Sequence, residues 1–316
     1  MPLVTVVIPA FNAEGTLERA VRSALEQTER DLEVIVVDDA SSDDTFAIAS
    51  RLRDADCRVR VLRSDVNRGV AASRNRALDA ARGEWVALLD ADDTWGLERL
   101  ERLLEAADGA DVVSDDLLVV QPPEGRVQSL LAWVNLDVRG RHVLSLAEMV
   151  RYDLGLLMPI IRRSFLERHE LRYDATLRLA EDFYFYFDLL SAGAAWVQLR
   201  DGYYVYSRAE KSLTSHTRAV YEQHVAASTA LIARHGSSLD PHVATALTRL
   251  NRNLRATVVR TEVFALVRER RVRALVHLLR TQPGSAALGL AHAARGRCLG
   301  ALRRARKGLP IPARPL

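Results

Sequence analysis

Apolar residues in the first 115 positions fall into short continuous runs separated by helical patterns. Residues 3–8 form a β-branched run closed by Pro9. Residues 14–27 then place Leu17, Ala20, Val21, Ala24 and Leu25 on one face at helical spacing. Runs of the first kind recur at 34–37, 59–62, 85–89 and 112–113, with a helix predicted over about 70–81. Unalternating strands joined by helices predict a parallel sheet buried on both faces.

After Asp116 the rhythm changes. Pro122-Pro123-Glu124-Gly125 predicts a turn, 144–150 and 164–169 short helices, and 181–190 an aromatic-rich helix. The stretch 205–215, rich in Ser, Thr and charge, predicts a mobile loop. Beyond it the pattern is helical. Val243, Leu247, Leu250, Leu254 and Val258 recur three and four apart, with Arg249, Arg252, Arg255 and Arg260 opposite. The expected division is 1–116, 117–215 and a helical 216–316.

Charge sharpens this division. The net +3 conceals 18 Arg and Lys against 4 acids from residue 217 onward, and 26 against 37 before it. An acidic front suits work with a cation, and a basic tail suits an anionic partner. No nucleic-acid recognition module accompanies the tail, so nucleic acid is not expected. Cys57 and Cys298 lack metal-type spacing and suit a reducing compartment. No basic leader precedes the first run, and no stretch reaches the roughly 18 apolar residues needed to span a bilayer. A cytoplasmic protein is expected, with the inner face of the plasma membrane as its other address.

The chemistry concentrates in Asp90-Ala91-Asp92-Asp93, directly after the run 85–89. Acids ending a buried strand stand at the carboxyl edge, where open α/β sheets bind ligands. Their mutual repulsion calls for a cation, and hard oxygen ligands favour Mg²⁺ or Mn²⁺ shared with phosphate. A solvated turn whose acids cap the next helix is the plainer alternative. Asp38-Asp39 likewise ends the run 34–37, and Glu181-Asp182 starts a helix, where acids complement the dipole.

In order along the chain, VTVVIPAFN (4–12), VIVVDDASSDDT (34–45), NRGVAASRNRAL (67–78) and GEWVALLDADD (83–93) resemble the family 2 glycosyltransferases. LRLAEDFYFYFDLL (177–190) resembles that family's acceptor-side segment, and the nearest likeness is to exopolysaccharide enzymes of the succinoglycan kind. The resemblance implies an α/β GT-A nucleotide-diphospho-sugar transferase fold, a Rossmann-like mixed sheet flanked by helices, with a helical C-terminal extension. It implies that Pro9, Ala10, Phe11 and Asn12 border the nucleotide and that Asp39 accepts from a uracil ring. Asp90, Ala91 and Asp92 match the DxD motif, with Asp92 as direct metal ligand and Asp90 nearer the ribose or a metal-bound water. Arg74 is the candidate diphosphate contact, with Arg76 and Arg68 as alternatives. Asp182 matches the catalytic base, and His216 is a further candidate for the metal or diphosphate. Asp93 is expected to cap a helix near Trp95, and Tyr204 and Tyr206 to form the strand-like base of the loop.

The implied reaction is inverting transfer of one sugar, with Mn²⁺ or Mg²⁺, from a nucleotide-diphosphate sugar (UDP-linked) to a saccharide or lipid-linked saccharide hydroxyl, in cell-surface or exopolysaccharide synthesis. The QxxRW signature of processive synthases is absent, which favours one transfer per encounter. Two alternatives stand: a catalytically idle nucleotide-sugar-binding scaffold at the membrane, and a sugar-nucleotide pyrophosphorylase. Residues 9–15 lack the latter's basic Gly-rich phosphate loop. Arg295, Arg297, Arg303, Arg304, Arg306 and Lys307, interleaved with Leu299, Leu302 and Leu309, fit an anionic membrane. They equally fit a helical cap packed on the catalytic domain or, in a homodimer, on a second subunit.

Overall fold

The computed structural model describes residues 1–121, 126–177, 180–207, 218–236 and 239–281. His216, the turn at 122–125, most of the expected loop and the basic cluster at 295–307 lie outside the described residues. Those within Met1–Leu213 and Leu239–Ala246 form one compact unit, and those within Thr214–Ser238 and Leu247–Leu316 another.

The first unit opens with β1 (Val4–Ala10), α1 (Leu17–Leu25), β2 (Leu32–Asp38), α2 (Thr45–Ala55), β3 (Val59–Arg63), α3 (Val70–Ala80) and β4 (Trp85–Leu88). These match the predicted runs to within a few residues. Every residue of β2 and β4 is buried, as sheets covered on both faces require. In α1 the predicted face is buried at Leu17, Ala20, Val21 and Ala24.

The chain continues through β5 (Thr94–Trp95), α4 (Arg99–Glu105), β6 (Val112–Gln121), β7 (Arg126–Ser129), α5 (Leu130–Val134), β8 (His142–Val143), α6 (Leu146–Tyr152), β9 (Ile160–Arg162), α7 (Arg163–Arg168), α8 (Glu181–Ser191) and β10 (Trp196–Ser207). One sheet runs β3-β2-β1-β4-β9-β6-β10-β5, with β7 on β6 and β8 on β10. β1, β2, β3 and β4 pair in parallel. β9 lies antiparallel between β4 and β6, so the sheet is mixed. β6 passes straight through Asp116, and the two expected halves of this unit therefore share one sheet.

The register sets the site. Ala10 pairs with Asp38 and Val7 with Leu88, so β2, β1 and β4 end side by side at one edge. Adjacent strands lie about 4.8 Å apart. The residues following them, Asp39, Phe11-Asn12 and Asp90–Asp92, consequently line a single rim.

The second unit is helical: α9 (Arg218–His235), most of α10 (Pro241–Arg268) and α11 (Val272–Thr281). Leu247, Leu250 and Leu254 are buried as predicted, but the buried stripe then passes to Val259, Val263 and Leu266 rather than Val258. Successive steps of three and four drift around a straight helix, and the apolar stripe drifts with them. Val259, Val263 and Leu266 pack with Leu278 of α11. Asn251 donates to Ser228 Oγ (2.8 Å) and Thr229 Oγ1 (2.9 Å), fixing α9 against α10 by a buried polar contact. No helix among the described residues is long and apolar enough to cross a membrane.

Candidate active site

Arg74 is the centre of the arrangement. It sits on α3 with 1 % of its surface exposed, and its guanidinium spans two chain segments. Nη2 donates to Asp90 Oδ1 at 2.8 Å; Nη1 donates to Asp182 Oδ1 at 2.6 Å and to Glu181 Oε1 at 3.3 Å. One planar fork thus joins the acidic turn after β4 to the first turn of α8. Both Nη groups donate to carboxylates, so the side chain holds the acids of the two segments together. Arg76 is exposed and donates to the Arg63 carbonyl at 2.6 Å, while Arg68 is exposed on the turn before α3.

Electrostatics follow from burial and count. Around Arg74 stand three carboxylates for one positive charge, and Asp92 adds its own charge beside Asp90. Burial would deprive Arg74 of its proton, but Asp182 and Asp90 outweigh it and hold the pKa well above the usual value. Burial drives the Asp182 pKa upward; Arg74 opposes this, while Glu181 and Asp90 add to it. Burial and then Asp90 raise Asp92 to about 6. A carboxylate cluster that resists its own full ionisation is short of positive charge.

That shortage is what a divalent cation would supply. Asp92 and the Asp90 oxygen not held by Arg74 are hard ligands of the right kind. Among the described residues no group of three or more His, Cys, Asp or Glu side chains is arranged to hold a metal. Mg²⁺-type sites commonly take one or two carboxylates and complete their shell with substrate phosphates and water, so the residues fit a metal that arrives with a diphosphate.

The opposite end of the rim is built from backbone. Asn12 adopts φ 50°, a left-handed conformation that Asn tolerates better than most residues. Its Oδ1 accepts from Ser42 N at 2.9 Å, and its own N–H donates to Ser41 Oγ at 3.0 Å. Asn12 therefore ties the β1 and β2 turns together. Pro9 is half-buried and Ala10 buried, whereas Phe11 presents a ring that is 47 % exposed. Asp39 is buried and accepts from Arg68 N (3.0 Å) and Gly69 N (2.8 Å), where Gly69 at φ 91° opens α3. An ionised carboxylate has about four acceptor positions, so two remain after these donors. Ala91 is buried between the two acids of its motif.

Residues 5–164 match the family model described as glycosyl transferase family 2. The chain belongs to glycosyl transferase family 2. It is 34% identical over 257 residues to the succinoglycan biosynthesis protein ExoO of Rhizobium meliloti, covering 74% of this chain and 69% of that one. It is 28% identical over 198 residues to WfaP of Escherichia coli, a UDP-Glc:alpha-D-GlcNAc-diphosphoundecaprenol beta-1,3-glucosyltransferase, covering 57% and 78% respectively. The fold is also that of S. aureus TarS 1-349 in complex with UDP-GlcNAc, with a TM-score of 0.62 and 22% identity, over 81% of this chain and 72% of that one. The protein is a glycosyltransferase with the mixed α/β sheet and helical C-terminal region its sequence predicted.

Within the glycosyltransferase, Asp182 occupies the first turn of α8, where the helix dipole favours an anion. The preceding Ala180 has φ 61°, a strained conformation for alanine that sets the direction in which the helix starts. Gly155 lies against that turn so closely that a Cβ there would stand 2.8 Å from Phe183 Cβ. Tyr173 stacks on Phe185 with ring centroids 4.0 Å apart, and Arg74 lies over the Tyr173 ring.

Two expectations need correction. Asp93 caps no helix, because Thr94–Trp95 is a strand and the next helix begins at Arg99. Its carboxylate is fully buried and accepts from Tyr204 Oη (2.8 Å) and Ser207 N (2.8 Å). The loop expected from 205 is strand as far as Ser207, while Tyr204 and Tyr206 lie in β10, the strand-like base expected of them. Glu181 was read only as a helix-start acid, yet it is the third carboxylate on Arg74. Its place directly before Asp182 was the available signal.

Proposed function

We propose that this glycosyltransferase moves one sugar from a nucleotide-diphosphate sugar, UDP-linked, to a hydroxyl of a saccharide or lipid-linked saccharide, inverting the anomeric centre. The observation that carries the proposal is the shared guanidinium of Arg74, which brings the acidic turn and Asp182 to opposite sides of one group. The names of ExoO and WfaP support a role in exopolysaccharide or cell-surface saccharide assembly, and WfaP supports a lipid-diphosphate acceptor. The TarS complex supports a UDP-sugar donor.

Phe11, with Pro9, Ala10 and Asn12, would border the nucleotide, and the remaining acceptor positions of Asp39 would take the base N–H. Asp92, with Asp90, would hold Mn²⁺ or Mg²⁺, which neutralises charge on the leaving diphosphate. Asp182 would accept the acceptor hydroxyl proton. The pairing of Oδ1 with Arg74 fixes the carboxylate's orientation. In-line attack opposite the diphosphate gives inversion, the stereochemistry of a base-activated nucleophile at an oxocarbenium-like centre. Burial that raises the Asp182 pKa also raises its basicity.

The test is UDP release from a panel of UDP-sugars, with and without EDTA, followed by NMR assignment of the anomeric product. Release abolished by EDTA and restored by Mn²⁺, with inverted product, supports the proposal. Turnover indifferent to EDTA removes the metal, and a retained configuration removes the role given to Asp182.

A further inference from the structure

The acidic turn is held in place from behind by residues that face away from the rim. The Asp90 backbone N–H donates to Tyr204 Oη at 3.1 Å, and the same hydroxyl donates to Asp93 Oδ2 at 2.8 Å. The other oxygen of Asp93 accepts from Ser207 N at 2.8 Å. Both side chains are fully buried. The four-residue turn is thereby tied to β10 at both ends, its first residue by a backbone donor and its last by a carboxylate.

Tyr204 is itself rigidly mounted. Its amide and that of Tyr203 donate to Asp115 Oδ2 at 3.1 and 2.8 Å. Asp115 binds the fully buried Arg99 through Nη2 at 2.8 Å, and that guanidinium lies over the rings of Trp95 and Tyr204. The phenol hydroxyl therefore projects from an element whose backbone and ring are both fixed. Asp90 and Asp92, by contrast, are only partly buried, and their side chains belong to the rim.

We propose that Tyr204 and Asp93 form a positioning pair for the glycosyltransfer reaction, locking the backbone of the acidic turn so that Asp90 and Asp92 present their carboxylates to a metal–diphosphate complex. Neither residue touches the reactants. The inference rests on the metal reading given above, because the pair acts only through Asp90 and Asp92. A loosened turn would lose the geometry that a small, demanding cation requires, while the nucleotide contacts at the β1 and β2 ends stay intact.

The experiment is calorimetric titration of the full-length protein with UDP, in EDTA and in Mn²⁺, for wild type and Tyr204→Phe. The phenylalanine keeps the ring and deletes only the hydroxyl. Thermal unfolding accompanies each titration. Expected is a metal-dependent gain in UDP affinity that shrinks about tenfold in Tyr204→Phe, the effect of losing one such hydrogen-bonded link. Affinity in EDTA should be unchanged. A variant that keeps the full Mn²⁺ gain overturns the inference. Equal losses with and without Mn²⁺ also overturn it, since a merely structural role predicts that. A wild type with no Mn²⁺ gain refutes the metal reading, and the inference with it; this arm is independent of the variants. Should Tyr204→Phe fail to fold, Asp93→Asn, which preserves shape, carries the same comparison. Asp93→Asn combined with Tyr204→Phe should be no weaker than the more affected single variant, as residues acting as one unit require.

Discussion

Replacing Asp182 with Asn removes the proposed base while leaving its shape and its bond to Arg74. The amide oxygen can still accept from Nη1, which lies 2.6 Å from Asp182 Oδ1. What disappears is one negative charge from a site where three carboxylates share one guanidinium. Two carboxylates remain for Arg74, so the pair stays compensated and like-charge repulsion falls. Folding stability should therefore hold or rise, which separates this variant from ordinary core damage. Turnover is a different matter: loss of a general base costs about 10²–10⁴-fold, or roughly 3–5 kcal/mol of transition-state stabilisation. The assay is UDP release at saturating donor, with UDP affinity measured separately. Expected are a kcat lowered by at least about 10²-fold and a UDP affinity within about twofold of wild type.

The pH profile supplies a second check on the same variant. Burial holds the Asp182 pKa above the ordinary carboxylate range, and the base works only when deprotonated. Activity should thus fall on the acid side as pH drops through that raised value, and Asp182→Asn should lack this limb. A kcat within tenfold of wild type, or UDP binding lost in step with turnover, would refute the assignment.

Arg74→Lys replaces a fork by a point charge and should lower both kcat and UDP affinity, whereas Arg74→Met should also destabilise the fold by about 3–5 kcal/mol in urea denaturation, since three carboxylates are left unpaired. A stable Arg74→Met would contradict the bridging role. For Asp92, a folded-state value of about 6 against 3.8 unfolded means the native state keeps a proton that the unfolded chain releases. Metal-free stability should consequently decline as pH rises through this window, with Asp92 contributing up to about 3 kcal/mol, and the decline should be shallower in Asp92→Asn, where the buried Asp93 and Asp182, also held above the ordinary carboxylate range, still contribute theirs; parallel curves for the two proteins in EDTA would reject it. Gly155→Ala drives a Cβ to 2.8 Å from Phe183 and should cost about 1–3 kcal/mol in thermal unfolding, lowering kcat more than UDP affinity because it displaces the helix bearing Asp182; equal effects on both would count against that link.

The parallel half of the sheet was legible because its strands are buried on both faces, and unbroken apolar runs such as 34–37 have no other economical use. The acids closing those runs were legible for the same reason. The strands that extend this sheet beyond β4 were not. β9 has three residues, too few to carry a period, and β10 is interrupted by the exposed Arg200 and Asp201 and by a bulge near Gly202. Asp93 was misread because local rules put an acid ahead of a helix. The partners that claim it, Tyr204 and Ser207, are more than a hundred residues away. Arg74 shows the same limit: its spacing in the motif was visible, but its burial depends on Asp90, Glu181 and Asp182 meeting from separate elements.

That meeting also explains why the cluster tolerates its own cost. A diphosphate approaching Asp90, Asp92, Glu181 and Asp182 would meet more negative charge than Arg74 can offset, and the shortened Coulomb screening of a half-buried rim makes the repulsion count. On the proposed reading, a divalent cation reverses the sign at the acidic turn while Arg74 keeps Asp182 oriented beyond it. Donor entry then becomes conditional on the metal, while the base stays in place whether or not donor is bound. The order of events is built into the charge count: UDP with Mn²⁺ should bind more tightly than UDP in EDTA, and Arg74→Lys should weaken both without abolishing the difference between them. If instead the difference vanished with Arg74, the guanidinium itself would be the diphosphate receptor, and the division of labour drawn between Arg74 and the acidic turn would be wrong.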